Sequence, residues 1–341
     1  ATDPPRLPRG THLRELARPP DQAGGVSGFD ISVSAGFVLL TYNDTSTPPI
    51  GYALLMRASS GQSILFREFP GTSTTPRFQL QGVGLASRLW AIGVSTATTV
   101  VSGRRLDPAT DEDWTGTTTL LSDAGGFAFI AAAKVGGADQ FVVATASVGL
   151  NIVVRRFDSA GTLIVPSGGQ YSTIPAINAQ YIAVEADTAA NQLTVATADG
   201  TSGGVRLYTW NLSTGAAIGV ANTPSEVAAE TCQHVALTRS AVNQLQLLAT
   251  CSSVGTPDVT RVFNWDYTPS SGAFGTGIPV IGVQLAAGAV FLASTGTTIF
   301  GCTSDDLDTT PNMLLEHGNA GSDRVGLVAT KDLGFAAPPI D

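Results

Sequence analysis

Carboxylates are the side chains of this sequence that could most readily bind a metal ion, because they occur in two clusters. The first cluster lies near the C-terminus and the second precedes Trp114. The first consists of Asp305, Asp306 and Asp308, and the second consists of Asp107, Asp111, Glu112 and Asp113. Clustered carboxylates can bind Ca²⁺, but neither cluster has the spacing of an EF-hand or a nonapeptide calcium repeat. We therefore expect solvated loops and no cofactor, with the first cluster as a weak Ca²⁺ candidate.

Two of the three cysteines flank a predicted turn at residues 240–243. Pairing the chain about that turn places Cys232 opposite Cys251, and cross-strand cysteines come within bonding distance. The sequence leaves two alternatives open: a disulfide, which would indicate an oxidising compartment, or two small side chains buried in a sheet. The third cysteine, Cys302, is expected to be a buried free thiol.

The three histidines, His12, His234 and His317, are far apart in the sequence. None of them has the spacing to a cysteine or to another histidine that a zinc site requires. A catalytic triad can assemble from distant segments, but no catalytic constellation is recognisable. The protein is therefore predicted not to be an enzyme.

The segments that must position these residues repeat along the chain every 52 residues. Six short, mostly apolar segments begin at Phe37, Leu89, Phe141, Leu193, Leu245 and Thr297. Residues two apart on a strand point to the same side, and the first and third positions of the segments are apolar in nearly every copy. The repeat predicts six equivalent β-strands, each with one buried face.

Each copy of the repeat divides into about four short strands separated by turns. A four-stranded unit of this length is typical of a propeller blade. The pattern Trp210-Asn211 followed by Ser213-Thr214-Gly215 resembles the β-propeller superfamily, although no specific family is matched. The resemblance implies an all-β fold, a six-bladed β-propeller of four-stranded antiparallel blades covering residues 29–333. A β-helix or a pair of β-sandwiches fits the regular period less well.

Trp210 and Trp265 occupy corresponding places in adjacent copies. A repeated tryptophan can stack on sugars in a lectin, but it can equally fill a repeated core position. Their setting within strands favours the core.

The two chain ends differ from the repeats. Residues 1–28 form a Pro-rich N-terminal arm, and residues 334–341 form a short C-terminal tail. The arm carries four arginines: Arg6, Arg9, Arg14 and Arg18. Paired prolines impose an extended backbone, and a basic arm beside an acidic body suits contact with a neighbouring subunit. The alternative is a disordered leader.

Composition excludes some partners. The chain has 18 basic and 27 acidic residues, which gives a formal net charge of −9. Such a surface repels phosphate backbones, so nucleic acid is not expected as a partner. The most apolar stretch, residues 278–293, is interrupted by Pro279, Gly282 and Gly288. We therefore expect no membrane span.

These observations predict a non-enzymatic structural or interaction subunit. It would belong to an extracellular, cell-surface or virion assembly, for example one like a phage tail. Its partners would be copies of itself or other assembly subunits, contacted through the N-terminal arm. The alternative is a secreted propeller lectin or glycan hydrolase that uses the mouth of a central channel.

Overall fold

A computed structural model gives the fold of the chain. It describes residues 26–34, 36–44, 50–60, 63–69, 80–95, 98–111, 113–147, 151–175, 179–199, 204–218, 224, 227, 230–253, 256–275, 278–279, 290–294, 298–304, 312–319 and 325–332. Among these residues, no helix has the length and apolar character needed to cross a membrane. The chain divides into two compact units, residues 1–124 and 125–341, each with its own sheets and core.

In its described part, unit 1 contains two four-stranded antiparallel sheets whose strands follow one another in sequence. The first sheet consists of β1 (Val26–Ser34), β2 (Phe37–Asp44), β3 (Gly51–Arg57) and β4 (Ser63–Phe69), and the second consists of β5 (Gln81–Gly84), β6 (Leu89–Val94), β7 (Val100–Leu106) and β8 (Thr118–Ser122). Gly36, at φ +85°, supplies the left-handed backbone of the β1–β2 turn. The two sheets share one apolar core, formed by Leu39, Ala53, Leu55, Phe69, Leu80, Leu89, Ala91, Leu106 and Trp114.

Unit 2 continues the same pattern. Its strands are β9 (Phe127–Gly136), β10 (Gln140–Ser147), β11 (Asn151–Asp158), β12 (Leu163–Ile164), β13 (Ile174–Pro175), β14 (Ala179–Asp187), β15 (Gln192–Asp199), β16 (Val205–Asn211), β17 (Glu230–Ala241), β18 (Gln244–Ser253), β19 (Thr256–Thr268), β20 (Ala273–Phe274), β21 (Ile278–Pro279), β22 (Val290–Ser294), β23 (Thr298–Ser304), β24 (Asn312–Asn319) and β25 (Val325–Asp332).

Three sheets are formed by these strands. The sheets β9–β12 and β14–β16 join into one, because the ends of β9 and β14 pair in parallel. The strands β17–β20 form a second sheet and β22–β25 a third, while β13 and β21 pair with β11 and β19. Successive antiparallel sheets in sequence order confirm the prediction of an all-β fold with four-stranded antiparallel sheets.

The second strand of each four-stranded group carries the predicted repeat. These strands are β2, β6, β10, β15, β18 and β23. The third position of the repeat is buried at Leu39, Ala91, Val143, Val195 and Leu247. The sixth segment begins at Thr297, which lies outside the described residues. The 52-residue spacing thus places equivalent apolar residues at equivalent points of successive sheets.

Both faces of β14 are covered by apolar neighbours. Ile182, Val184 and Ala186 belong to one core cluster, which also contains Trp210. Tyr181 and Ala183 pack against a second cluster, which contains Trp265. Neither tryptophan side chain is exposed to solvent, so the core prediction for these two residues is confirmed. Sheets that stack in this way bury surfaces that no single sheet could bury alone.

Candidate functional site

Of the two acidic clusters, the structure describes only part of the second, and the weak Ca²⁺ candidates of the first stay a prediction. The described residues contain no group of three or more histidine, cysteine or acidic side chains that could hold a metal ion. In the second acidic cluster, Asp107 accepts a hydrogen bond from the backbone of Ala109, and Asp111 accepts one from the backbone of Asp107. These two carboxylates stabilise their own turn. The first cluster, Asp305, Asp306 and Asp308, lies outside the described residues.

The other predicted site residues fall in separate places. His234 is on β17, paired with Thr250, and His317 is on β24, paired with Phe300. His12 lies outside the described residues, as do the arm arginines Arg6, Arg9, Arg14 and Arg18. The arm remains a prediction.

A disulfide joins the hairpin β17–β18. Cys232 pairs with Cys251 in the register of the two strands, and their Sγ atoms are 2.05 Å apart. Both side chains are fully buried in the core cluster that contains Trp265. The bond ties together two strands that are also held by backbone hydrogen bonds.

Removing this disulfide is expected to destabilise the fold. The bond closes a loop of 19 residues, and a loop of that size stabilises a fold by about 3 kcal/mol through its effect on the unfolded chain. The double variant Cys232→Ala/Cys251→Ala should lose that amount, measured by urea unfolding. Reductant should lower the stability of the wild type and leave the double variant unchanged. Three titratable thiols in the unreduced, unfolded wild type would contradict the bond.

An exposed polar cluster lies between β4 and β7 in unit 1. Its members, which we call the β4–β7 polar cluster, are Arg67, Phe69, Arg104, Asp113, Trp114 and Thr117. Arg67 and Phe69 are two apart on β4 and so lie on the same side. Asp113 and Trp114 come from the loop after β7, which is anchored by a hydrogen bond from Thr115 N to the carbonyl of Arg105.

Arg67 and Asp113 form a bidentate ion pair. Nε and Nη2 of Arg67 donate to Oδ1 and Oδ2 of Asp113 at 2.7 and 2.6 Å. The two side chains are 49% and 46% exposed, so the pair faces solvent. The hydrogen bonds from Arg67 are the main reason that the pKa of Asp113 lies below its ordinary value, and they outweigh the opposite effect of burial. The pair is therefore charged at neutral pH and holds both groups in a fixed geometry.

Arg104 lies beside this pair on an aromatic ring. Its guanidinium carbon is 5.1 Å from the centroid of Phe69, at cation–π distance. Its Nε donates to Oγ1 of Thr117 at 3.3 Å. Its terminal nitrogens have no hydrogen-bond acceptor among the described residues. The positive charge of Arg104 contributes to the lowered pKa of Asp113.

Trp114 completes the floor of the cluster. Its ring meets Phe69 edge to face, with centroids 5.6 Å apart. The residue is only 8% exposed, yet its buried Nε1 has no acceptor in the described part of the chain. A buried donor without an acceptor is unfavourable.

Sequence reasoning assigned Asp113 to a solvated acidic loop and missed Arg67 and Arg104. The register of the strands shows what was missed. The third position of the repeat lies opposite a residue of the next strand in each sheet. The pairs are Leu39 with Leu55, Ala91 with Arg104, Val143 with Arg155, Val195 with Tyr208, and Leu247 with Trp265. Leu55, Tyr208 and Trp265 are buried apolar or aromatic side chains. The feature of the sequence that could have revealed this cluster is therefore an arginine at a position that is buried and apolar or aromatic in other copies of the repeat.

A second polar cluster lies between β14 and β17. Nε of Arg239 is 3.8 Å from a carboxylate oxygen of Glu185 and 3.8 Å from one of Asp187. The three side chains are only 12–20% exposed. None of the guanidinium nitrogens of Arg239 has a hydrogen-bond acceptor among the described residues. Gly136 leaves room for Asp187, because a Cβ there would lie 2.5 Å from Oδ2.

The pKa values of Glu185 and Arg239 differ from their ordinary values in this cluster. Burial, with the charge of Asp187 adding to it and that of Arg239 opposing it, raises the pKa of Glu185 to about 7. Burial also lowers the pKa of Arg239 against the attraction of the two carboxylates. One cation faces two carboxylates, so protonation of Glu185 neutralises the cluster.

No protein-family model and no curated protein matches the chain. Solved structures do match it. A mutant of AofleA from Arthrobotrys oligospora has a TM-score of 0.55 and 10% identity, covering 90% of this chain and 87% of its own. The SapL1 lectin in complex with alpha methyl fucoside has a TM-score of 0.54 and 11% identity, covering 90% and 98%. The polysaccharide lyase Uly1 has a TM-score of 0.55 and 10% identity, covering 90% and 82%.

At such identities the likeness shows the fold, which is propeller-like. It also bears on two predictions made from sequence, of which it contradicts one. The prediction that the protein is not an enzyme is contradicted, because a polysaccharide lyase has a similar fold over most of both chains. The absence of a sequence motif was a poor guide, since catalytic groups assemble from separate strands. The prediction of a structural or virion subunit finds no support in these structures.

Proposed function

We propose that the protein is a carbohydrate-binding propeller, with its sheets forming six blades and the β4–β7 polar cluster forming its sugar site. Support for the class comes from the similar fold of a lectin bound to alpha methyl fucoside and of a polysaccharide lyase. Support for six blades comes from the six repeated second strands. Support for the site comes from the chemistry of the cluster.

The ion pair Arg67–Asp113 is the observation that carries this proposal. A guanidinium donates hydrogen bonds and a carboxylate accepts them, which is what the hydroxyl groups of a sugar require. The bidentate geometry presents both groups side by side without further ordering. Phe69 and Trp114 give the cluster an apolar floor.

The test is sugar binding by the variant Asp113→Asn. The wild type should bind at least one member of a panel of immobilised glycans, and the variant should bind that glycan about tenfold more weakly, because a hydrogen bond to a charged group is lost. The matched control is Glu68→Gln, an exposed carboxylate on the same strand as Arg67. Equal binding by Asp113→Asn and wild type would refute the site, and a panel without any bound glycan would refute the function.

Glycan cleavage is a second candidate function, supported by the Glu185–Asp187–Arg239 cluster. A carboxyl group with a pKa of about 7 beside a second carboxylate is suited to general acid–base work. The same glycan panel tests this candidate when products are assayed for new reducing ends and for unsaturated sugars.

We also propose an extracellular location, which the disulfide supports, because such bonds persist in oxidising compartments. Association through residues 1–28 with copies of the chain or with other subunits is a separate proposal. It does not depend on the sugar site.

A further inference from the structure

The β4–β7 polar cluster has more positive than negative charge. Asp113 is the carboxylate of the cluster, and both of its oxygens are engaged by Arg67. The guanidinium of Arg104 has no carboxylate partner within the described residues, where its single hydrogen bond goes to Thr117. On a chain with a net charge of −9, the cluster itself carries one surplus positive charge, although Asp107 and Asp111 precede Asp113 on the same loop.

Arg104 stands at a position where three other sheets have a buried side chain, whereas the sheet of β10 and β11 has a second arginine there, Arg155. The equivalent third-strand residues Leu55, Tyr208 and Trp265 are at most 2% exposed. A charge at such a position loses part of its hydration, which is unfavourable unless another group compensates. Places where a chain departs from its own packing rule are frequently functional. Phe69 and Thr117 compensate Arg104 in part and fix its orientation.

That orientation leaves one edge of the guanidinium available. Nε is bonded to Thr117, and the guanidinium carbon lies 5.1 Å from the centre of Phe69. The two terminal nitrogens remain for a ligand, and a planar carboxylate is the group that matches such a pair. Nearby, Asp113 would repel a second anion but would accept hydrogen bonds from hydroxyl groups. The cluster thus has one place for a carboxylate and one for neutral sugar hydroxyls.

We propose that the site takes an acidic sugar, a uronic acid unit whose carboxylate is bound by Arg104. This inference rests on the proposed sugar-binding function and deepens it by naming the sugar class. The hydroxyl groups of the same sugar would contact the Arg67–Asp113 pair. Arg104 is then the residue that separates acidic from neutral sugars.

The experiment compares matched sugars by calorimetry. The probes are oligosaccharides of glucuronate and glucose, and of galacturonate and galactose, which differ within each pair at the carboxylate carbon. The wild type should bind the acidic member of at least one pair about tenfold more tightly, the expected gain from a charge-assisted bidentate contact. The variant Arg104→Gln should lose this preference and keep its affinity for the neutral sugar. The control Arg57→Gln removes an exposed positive charge at the end of β3 and should keep the preference.

Each outcome is decisive. An unchanged preference in Arg104→Gln, or equal affinities of the wild type for both members of every pair, would overturn the acidic-sugar inference and leave the proposed function standing. Binding of neither member of either pair would also overturn the acidic-sugar inference, and the glycan panel would then decide whether the proposed function stands. A thermal melt shows whether Arg104→Gln is folded. If it is not, Arg104→Lys replaces it, since a lysine keeps the charge without the two-pronged geometry, and an unchanged preference in that variant would refute the bidentate contact.

Discussion

Arg239→Met is expected to destabilise the protein by about 3–5 kcal/mol at pH 8, because the change leaves two buried carboxylates without their cation. Glu185 and Asp187 both lie 3.8 Å from Nε of Arg239 and are at most 20% exposed. Their mutual repulsion, now unopposed, adds to the desolvation of each. Chemical unfolding of variant and wild type at pH 8 measures the difference.

A matched substitution separates charge from packing. Arg206 is half-buried on β16 and forms no ion pair among the described residues, so Arg206→Met should change the stability by no more than about 0.5 kcal/mol. Adding Glu185→Gln to Arg239→Met should restore part of the lost stability. If Arg239→Met loses no more than Arg206→Met, the cluster does not hold the two strands together, and our account of it is wrong.

The stability of the wild type is expected to fall by about 3 kcal/mol as the pH rises from 4.5 to above 7. The pKa of Glu185 is raised from 4.5 to about 7 in the folded protein, and each unit of such a shift corresponds to about 1.4 kcal/mol. Between these values the folded state holds a proton that the unfolded state has released. The stabilisation is fully present below pH 4.5 and is lost as the pH passes 7.

Unfolding measured at several pH values tests this dependence. The glutamine side chain of the variant Glu185→Gln has no proton to lose between pH 4.5 and pH 7. The stability of this variant relative to the wild type should therefore increase by about 3 kcal/mol as the pH rises through that range. Asp113→Asn is the control, because the pKa of Asp113 is lowered and this residue stays ionised above pH 5. A wild type and a Glu185→Gln variant with parallel pH profiles would show that Glu185 titrates normally in the fold.

The succession of four-stranded antiparallel sheets along the chain could be predicted, because it depends on a local rule repeated many times. The apolar strands of successive repeats begin 52 residues apart. Alternation of side chains along each strand then determines which face is buried. The burial of Trp210 and Trp265 followed from the same reasoning. The Cys232–Cys251 pairing likewise required only the position of one turn.

The polar clusters could not be predicted, because they depend on spacings that vary. Counting 52 residues from Arg104 leads to Arg156, but the strand register makes Arg155 its equivalent. Arg156 instead bonds to Gln140 on its own sheet and to the carbonyl of Leu212. A shift of one residue turns a side chain to the other face. The contact of Arg67 with Asp113 joins two sheets, and the sequence carries no mark of it.

The hairpin β17–β18 has a consequence for proteolysis. Its turn carries Val242, which is 67% exposed and so accessible to a protease. The turn lies inside the loop that Cys232 and Cys251 close. A cut at this turn would leave both fragments covalently joined, and the nicked protein would run at full length on a gel without reductant. The N-terminal and C-terminal fragments would separate only after the disulfide is reduced.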